Sequence, residues 1–553
     1  MKKSLFLSLL LTSGFASAAH YPTMLLMGGS YRTCSSLDTD DCKARLREFH
    51  GARQTAQYRV DAKAFVEILD PGYWASRDRP PTPARIKAML ETALAKAGNR
   101  RFSAADLAEL FKAVDAGTWN TLLVLEQDMI LSAFEMPQFS KGVRLKEGVA
   151  IDGSTSGHDA DMFRRLVREA AKRSPGKRPR IAFTTSAANN NFDAVDFYRN
   201  LLLQAGAEPV WWPVDWSMNA ALFGQQGCQA LPLLRQRLFS QIGRERVFPD
   251  LAAQQATACA DPEALAELPS AVNGVFLDGG DQWLHWNTFF DADGQPNQWL
   301  LNLRSAFQRG ELVVAGTSAG TAVQSGPAMI TNGSSANALL RGAKQYGSMP
   351  EGCERANRCP QDLQEDDLSY WPGGGLGLAG KLLMDTHVSE RKRELRLITL
   401  LNAVEATAGI GIDETSTVLL QFDAAAVSVE ALGMSGAWWL MKPSAKGKSG
   451  AVSLSAHYLA PGLVLQWRDG QLSAPNALPF SGGKTGNTSP ADALQSHALR
   501  DAVWRMAAGN ESAALLHAQG RQIRITASPE SRHWQGPDGQ QGITSLRIDI
   551  SGE

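Results

Sequence analysis

A chain of 553 residues is longer than one hydrophobic core organises, so two or three structural units are expected. Apolar residues at 44% and charged residues at 20% are the proportions of an ordinary globular protein and exclude a disordered or fibrous one. The 55 basic and 56 acidic residues leave a net charge of −1, which excludes a global field that would gather nucleic acid or an anionic membrane surface.

The first residues read as a secretory signal over 1–18. Lys2 and Lys3 give the positive start, residues 4–15 the apolar region, and Ala16-Ser17-Ala18 the small-residue cleavage pattern. The apolar run is short for a membrane span and no second run follows, so the mature chain is expected to start near Ala19 or His20 and to be periplasmic or secreted. No cysteine near the cleavage site suggests a lipid anchor. Six cysteines suit an oxidising compartment, and the simplest of their fifteen pairings joins Cys34 to Cys42, Cys228 to Cys259 and Cys353 to Cys359. No C-x-x-C spacing points to structural zinc.

Residues 23–29 read as a buried strand ending in Gly28-Gly29. A largely helical insertion follows over about 31–148. In it Thr82-Pro83 opens a helix over 85–97, and Ser103 to Asp106 cap another through Val114. Helices over 159–172, 192–205 and 299–308 then alternate with strands over 180–186, 209–214, 271–277 and 312–315. That alternation predicts a mainly parallel sheet with helices on both faces, whose ligands sit at the carboxyl ends of strands. Residues 331–371 read as a polar, irregular surface loop, and the run Glu365-Asp366-Asp367 as a solvated acidic face. Gly375-x-Gly377-x-x-Gly380 has the spacing of a dinucleotide loop, but Tyr370-Trp371-Pro372 precedes it in place of a strand, so it is discounted. The α/β core is expected to span 19–425. A β-rich extension over 426–553 follows, with strands over 427–439, 451–457, 462–467, 523–527 and 545–551 and a helix over 489–508.

The chemistry centres on Gly316-Thr317-Ser318-Ala319-Gly320, between a strand and a small-residue segment. Such a turn exposes a serine hydroxyl among backbone N–H groups, although the bare pattern also suits a tight packing turn. A nucleophilic serine needs a base, a carboxylate and oxyanion donors. His285 and His387 are the histidines placed to act as base. Asp413 and Glu414 close an apolar, glycine-flanked strand, where a buried acid needs a partner.

Four blocks together resemble the cyanophycinases, serine peptidases related to the aspartyl dipeptidases. They are Phe276-Leu-Asp-Gly279-Gly280-Asp281-Gln282, Gly316-Thr-Ser318-Ala-Gly320, Asp385-Thr-His387 with Arg391, Arg393 and Arg396, and Gly411-Ile-Asp413-Glu414. The resemblance runs from about residue 21 to Phe422, without the insertion. It implies a Ser318, His387, Glu414 triad, an oxyanion hole from the N–H groups of Gly280 and Ala319, and substrate contacts from Gln282, Asp385, Arg391, Arg393 and Arg396. The fold it implies is that of class I glutamine amidotransferases, flavodoxin-like. The implied substrate is cyanophycin, a polyaspartate with arginine on its side-chain carboxyls, released as β-Asp-Arg. A regular helix over 391–396 would not put the three arginines on one face, so at least one is expected to be structural or solvated. Thr386 stands where the family usually has glutamine, and Asp278 where a smaller or neutral residue is more usual, which leaves other aspartyl or isoaspartyl peptides, or an inactive binding protein, as alternatives. No metal or organic cofactor is indicated; the expected partner is a polypeptide substrate, with no nucleic acid or membrane, and a homodimer is compatible with the sequence.

Overall fold

The strand Thr23–Met27 (β1) is apolar and buried at all five positions, as a strand covered on both faces must be. The computed structural model describes residues 20–44, 49–74, 83–355, 357–423, 426–442, 452–468, 471–480, 482, 491–509 and 511–552. The predicted signal peptide, 1–18, lies outside the described residues, as does Thr82 of the predicted helix cap. After β1 and a one-turn helix Phe65–Ile68 come three longer helices among the described residues: α1 (Pro83–Ala97), α2 (Ala104–Trp119) and α3 (Val124–Phe134). They bury a cluster of their own that includes Met89, Leu90, Phe111, Trp119 and Ile130. Ser103 caps α2 by accepting the Asp106 N–H. Buried ion pairs bind this layer to its surroundings: Glu135 takes Arg53 at 2.8 Å and Arg244 at 2.6 Å, and Arg53 also reaches Asp193 at 2.6 Å. Removing one partner from such a set strands a buried charge.

The chain continues through α4 (His158–Ala171), β2 (Arg180–Phe183), α5 (Val195–Ala205), β3 (Glu208–Trp211), β4 (Gly274–Leu277), α6 (Gln282–Phe289), α7 (Gln298–Gln308), β5 (Val313–Thr317) and the short α8 (Ala319–Ala322). Strands β1, β5, β4, β2 and β3 lie side by side and parallel. Their side chains alternate between two cores, as the pleat requires. Met24, Leu26, Val275, Leu277 and Val314 enter one core, and Leu25, Met27, Phe276, Val313 and Ala315 the other.

Later elements include β6 (Leu382–Thr386), α9 (Glu394–Ala403), β7 (Ala408–Ile412), β8 (Ser416–Phe422), β9 (Val427–Gly433), β10 (Ala437–Met441), β11 (Val452–Leu459), β12 (Val464–Arg468), α10 (Ala498–Gly509), β13 (Arg521–Gln535) and β14 (Gln541–Gly552). Here the expected mainly parallel sheet needs correction. On the far side of β1 the first sheet continues antiparallel through β8, β9 and β12. Strands β6 and β7 leave it altogether: they pair in parallel with each other and begin a second sheet, which runs β6-β7-β10-β11-β14-β13 and continues through strands Ala513–Ala518 and Ala491–Asp492. A short connection explains one of the antiparallel pairs: β8 ends at Phe422 and β9 begins at Val427, and strands joined by a tight turn must reverse direction. The expected boundary at 425 therefore falls inside the β8–β9 pair, and strands after 426 complete both large sheets.

Two other expectations change. Residues 331–371 are not an irregular loop: they contribute strands Met329–Asn332, Ala343–Gln345 and Leu368–Trp371 to a three-stranded sheet, with a helix Ser335–Arg341 beside it. The acidic run is not all solvated either, since Asp367 is fully buried and accepts both Nε and Nη2 of Arg341. The predicted helix over 489–508 begins only at Ala498. All three expected disulfides are formed. Among the described residues no helix is long and apolar enough to cross a membrane.

Candidate active site

The turn between β5 and α8 holds Ser318 at φ 50°, ψ −113°, a strained conformation for a residue with a Cβ. Crowding makes its neighbours glycine. A Cβ on Gly316 would lie 2.1 Å from the Gly320 carbonyl oxygen, and one on Gly320 would lie 2.2 Å from that of Leu277. The turn is fixed to β1: the Ser318 N–H donates to the Met27 carbonyl at 3.0 Å, and the Thr321 hydroxyl lies within bonding distance of the Met27 and Gly316 carbonyls. The Gly375–Gly380 glycines, discounted as a dinucleotide loop, pack against the segment after α8, where a Cβ on Gly326 would sit 1.4 Å from the Gly380 carbonyl oxygen.

His387 follows β6 at φ 55°, and Glu414 follows β7. Because β6 and β7 are adjacent and parallel, both side chains emerge at the same end. Ser318 Oγ lies 2.7 Å from His387 Nε2, and His387 Nδ1 lies 2.8 Å from Glu414 Oε1. The ionised carboxylate only accepts, so Nδ1 carries the proton and Nε2 is left to accept from the serine. Burial pushes His387 down to about 4, with Arg391 adding to the shift and Glu414 opposing it. Burial raises Glu414, but hydrogen bonds from His387 and Ser30 outweigh it and hold the carboxyl below its ordinary value. The imidazole is therefore neutral near neutral pH, as a general base must be.

The structure separates the two candidates at each position. His285 is fully buried away from Ser318. Its Nδ1 lies 2.8 Å from Ser186 Oγ and its Nε2 3.0 Å from the Asp278 carbonyl oxygen, and burial lowers it to about 4. Asp413 accepts the Ser389 N–H at 3.0 Å and the Tyr458 hydroxyl at 2.8 Å, and burial pushes it up to about 7.

A cavity of about 290 Å³ opens over Ser318, and Gly280 and Ala319 both line it. Ala319 opens α8, so its N–H is one that helix geometry leaves without an intrahelical acceptor. Gly280 has φ 147°, and a Cβ there would lie 2.1 Å from the Ala187 carbonyl oxygen. Gln282 lines the same cavity, its Nε2 donating to the Ile330 carbonyl at 2.8 Å. Asp385, Arg391, Arg393 and Arg396 complete the opposite wall. The three arginines share it because α9 starts only at Glu394, after a turn with Lys392 at φ 57°. Their roles differ. Arg396 is buried and holds Asp385 in a two-pronged contact, at 2.8 and 2.7 Å. Arg393 donates to the Thr386 carbonyl at 3.0 Å, and burial, reinforced by Arg396, lowers it to about 9. Arg391 is half exposed, with its Nε 3.8 Å from Glu414 Oε1.

Asp278 does not face the cavity. It is fully buried, accepts the Thr184 hydroxyl at 3.2 Å and the Ala187 N–H at 3.3 Å, and burial pushes it up to about 8. Sequence reasoning missed Ser30, whose Oγ stands 3.4 Å from His387 Nδ1. It also missed the fit at Gly29, where a Cβ would lie 2.5 Å from His387 Cε1. The Gly28-Gly29 pair was the available signal, and Ser30 follows it directly.

A serine, an imidazole and a carboxylate in one hydrogen-bonded line, at strand ends of an α/β protein, have the arrangement that the serine-hydrolase class uses. No family model matches the chain. Over 187 residues, 34% of its length, it is 32% identical to the cyanophycinase of Trichormus variabilis and equally to that of a Nostoc species. Over 194 residues it is 31% identical to the cyanophycinase of Synechococcus elongatus. The chain spans about half the length of these curated relatives, 51%, 51% and 50%. A crystal structure of a peptidase from an acI-B1 Actinobacterium is similar at 15% identity and a TM-score of 0.31, covering 57% of this chain and 90% of that one. Over that third of its length the chain is similar to curated cyanophycinases.

Proposed function

We propose that the chain is a serine peptidase that hydrolyses cyanophycin to β-Asp-Arg dipeptides and acts outside the cytoplasm after loss of residues 1–18. The observation that carries the reading is the Ser318–His387–Glu414 line, at 2.7 and 2.8 Å, opening into a cavity walled by three arginines. Ser318 Oγ attacks the scissile carbonyl carbon while His387 Nε2 takes its proton. The carbonyl oxygen becomes an oxyanion, received by the Gly280 and Ala319 N–H groups. Its collapse breaks the C–N bond as His387 returns the proton to the leaving amine. Water then attacks the acyl-enzyme with the same base, releasing the acid and restoring Ser318. Glu414 holds the tautomer and offsets the charge on the imidazolium.

Arg391 and Arg393 are suited to substrate carboxylates, because a guanidinium meets a carboxylate in a two-pronged, charge-assisted contact. Arg396 acts through Asp385, which it neutralises in the wall, and Gln282 closes the opposite side. The parallel run β1-β5-β4-β2-β3 is read as the class I glutamine amidotransferase-like, flavodoxin-like part of the fold. The test is to incubate the purified protein with cyanophycin and with short Asp-X peptides, beside Ser318→Ala. Release of β-Asp-Arg by the wild type alone supports the proposal. Cleavage of the short peptides alone replaces the substrate with other aspartyl or isoaspartyl peptides. Equal inertness of wild type and Ser318→Ala on both substrates refutes the enzyme reading and leaves a binding protein.

A further inference from the structure

Glu414 is held from behind as well as from in front. Its backbone N–H donates to Glu390 Oε2 at 3.0 Å. Glu390 lies in the loop between His387 and α9, so this bond ties the residues after β7 to those after β6. A second bond joins the same two segments in the opposite direction, from the Ser389 N–H to Asp413 Oδ1 at 3.0 Å. Glu390 in turn is gripped by the region that the sequence left without any motif. Arg500 Nη1, on α10, reaches Glu390 Oε1 at 3.4 Å, and His497 Nε2 lies 3.5 Å from the same oxygen. The Ser496 hydroxyl donates to the Glu390 carbonyl at 2.8 Å, and the His497 N–H to the Ser389 carbonyl at 2.7 Å. Arg500 also stands 4.0 Å from Asp413 Oδ2 and lies over the Trp504 ring.

From this chain of contacts we infer that Glu390 is a positioning residue for Glu414, and that residues 496–500 set its place. The inference rests on the triad reading. Glu414 Oε1 is useful to His387 only within about a hydrogen-bond length, and the carboxylate stands at the end of a strand with solvent on one side. A cavity of about 490 Å³ lies there, lined by Glu390, Glu414, His497, Arg500 and Trp504. On that side a bond to the Glu414 backbone and an ion pair behind that bond restrain it. The same open space lets Arg500 be shortened or neutralised without forcing a larger atom into a core.

The direction of the effect follows from the charges facing His387. Arg391 and Arg393 disfavour its protonated form, Glu414 favours it, and Ser30 and Ser318 are neutral. Loosening Glu414 weakens the one favourable contribution. The acid limb of Ser318 reactivity then moves to lower pH while the plateau falls. A fold that is merely damaged loses amplitude with no shift of the limb.

The experiment follows phosphonylation of Ser318 by a fluorophosphonate across pH 3 to 9 in the full chain, for wild type, Glu390→Ala, Glu390→Gln, Arg500→Met and Arg500→Lys. Misplacing a catalytic group by about 1 Å costs up to about a hundredfold. Glu390→Ala and Arg500→Met are therefore expected to lower the maximal rate roughly 10- to 100-fold, leave the concentration for half-saturation unchanged and move the acid limb down. Glu390→Gln, which keeps an acceptor for the Glu414 N–H, and Arg500→Lys, which keeps the charge, are expected to recover most of the rate. An unchanged rate and limb in Glu390→Ala overturn the inference and leave the triad standing. The same holds if the conservative variants are as impaired as the severe ones. Failure of the wild type to label at Ser318 removes the triad reading and this inference together.

Discussion

Gly29 offers a direct test of how tightly the nucleophile and its base are fitted. Its φ is 98°, and a Cβ built there lies 2.5 Å from His387 Cε1, 2.8 Å from Nε2 and 3.0 Å from Ser318 Cβ. In Gly29→Ala the methyl group and the imidazole cannot both stay. Ordinary contact begins at 3.4 Å, so the ring must give by 3.4 − 2.5 = 0.9 Å. It cannot do so and keep Nε2 at 2.7 Å from Ser318 Oγ and Nδ1 at 2.8 Å from Glu414. A displacement of about 1 Å in a catalytic group costs on the order of a hundredfold in kcat, with KM little changed because the arginine wall is untouched. The positive φ adds about 1–2 kcal/mol of backbone strain, which lowers the melting temperature by only a few degrees in a protein of this size. Gly98→Ala is the control: its φ is 57° and nothing lies within 4 Å of the added atom. The assay is steady-state hydrolysis of cyanophycin beside thermal unfolding of both variants. Wild-type kcat in Gly29→Ala would refute the placement of the ring, and an equal loss in Gly98→Ala would assign the effect to backbone strain alone.

Glu414→Gln keeps the shape of the carboxylate but can offer His387 Nδ1 an amide N–H in its place. It is expected to lower kcat by about 10³–10⁴, as loss of the correct tautomer does in this type of triad, with folding unchanged by circular dichroism. Asp278 predicts a stability effect with a definite sign. Burial raises its folded pKa to about 8 from an unfolded value of 3.8. Between those values the folded state keeps a proton that the unfolded state has lost, so stability is full below about pH 4 and falls as pH rises toward 8. Asp278→Asn, which needs no proton, is expected to flatten the fall in melting temperature between pH 6.5 and 8.5; an unaltered slope would show that Asp278 does not contribute to it.

Much of the site was legible because its parts are local. The Ser318 turn announces itself by glycines that crowding makes obligatory, whereas only the family resemblance favours His387 over His285. Other choices were not local. Asp413 and Glu414 are adjacent, and only the partners tell them apart: Tyr458 and Ser389 claim one, His387 the other. The three arginines looked incompatible with one face because a continuous helix was assumed, and the turn at Lys392 removes that assumption. Asp278 looked like a departure at the substrate, yet its partners Thr184 and Ala187 lie beneath the Gly280 turn. The mixed sheets were the least legible feature, because short strands with turn signals give direction reversals but not which sheet each strand joins.

The two halves of the candidate machinery stand on different sheets: Ser318 ends a strand of the first, and His387 and Glu414 follow strands of the second. The second sheet has β14 (Gln541–Gly552) in its interior, between β11 and β13. The Ser318–His387 contact is therefore made across two separately hydrogen-bonded sheets, and no single ladder of paired strands fixes its length.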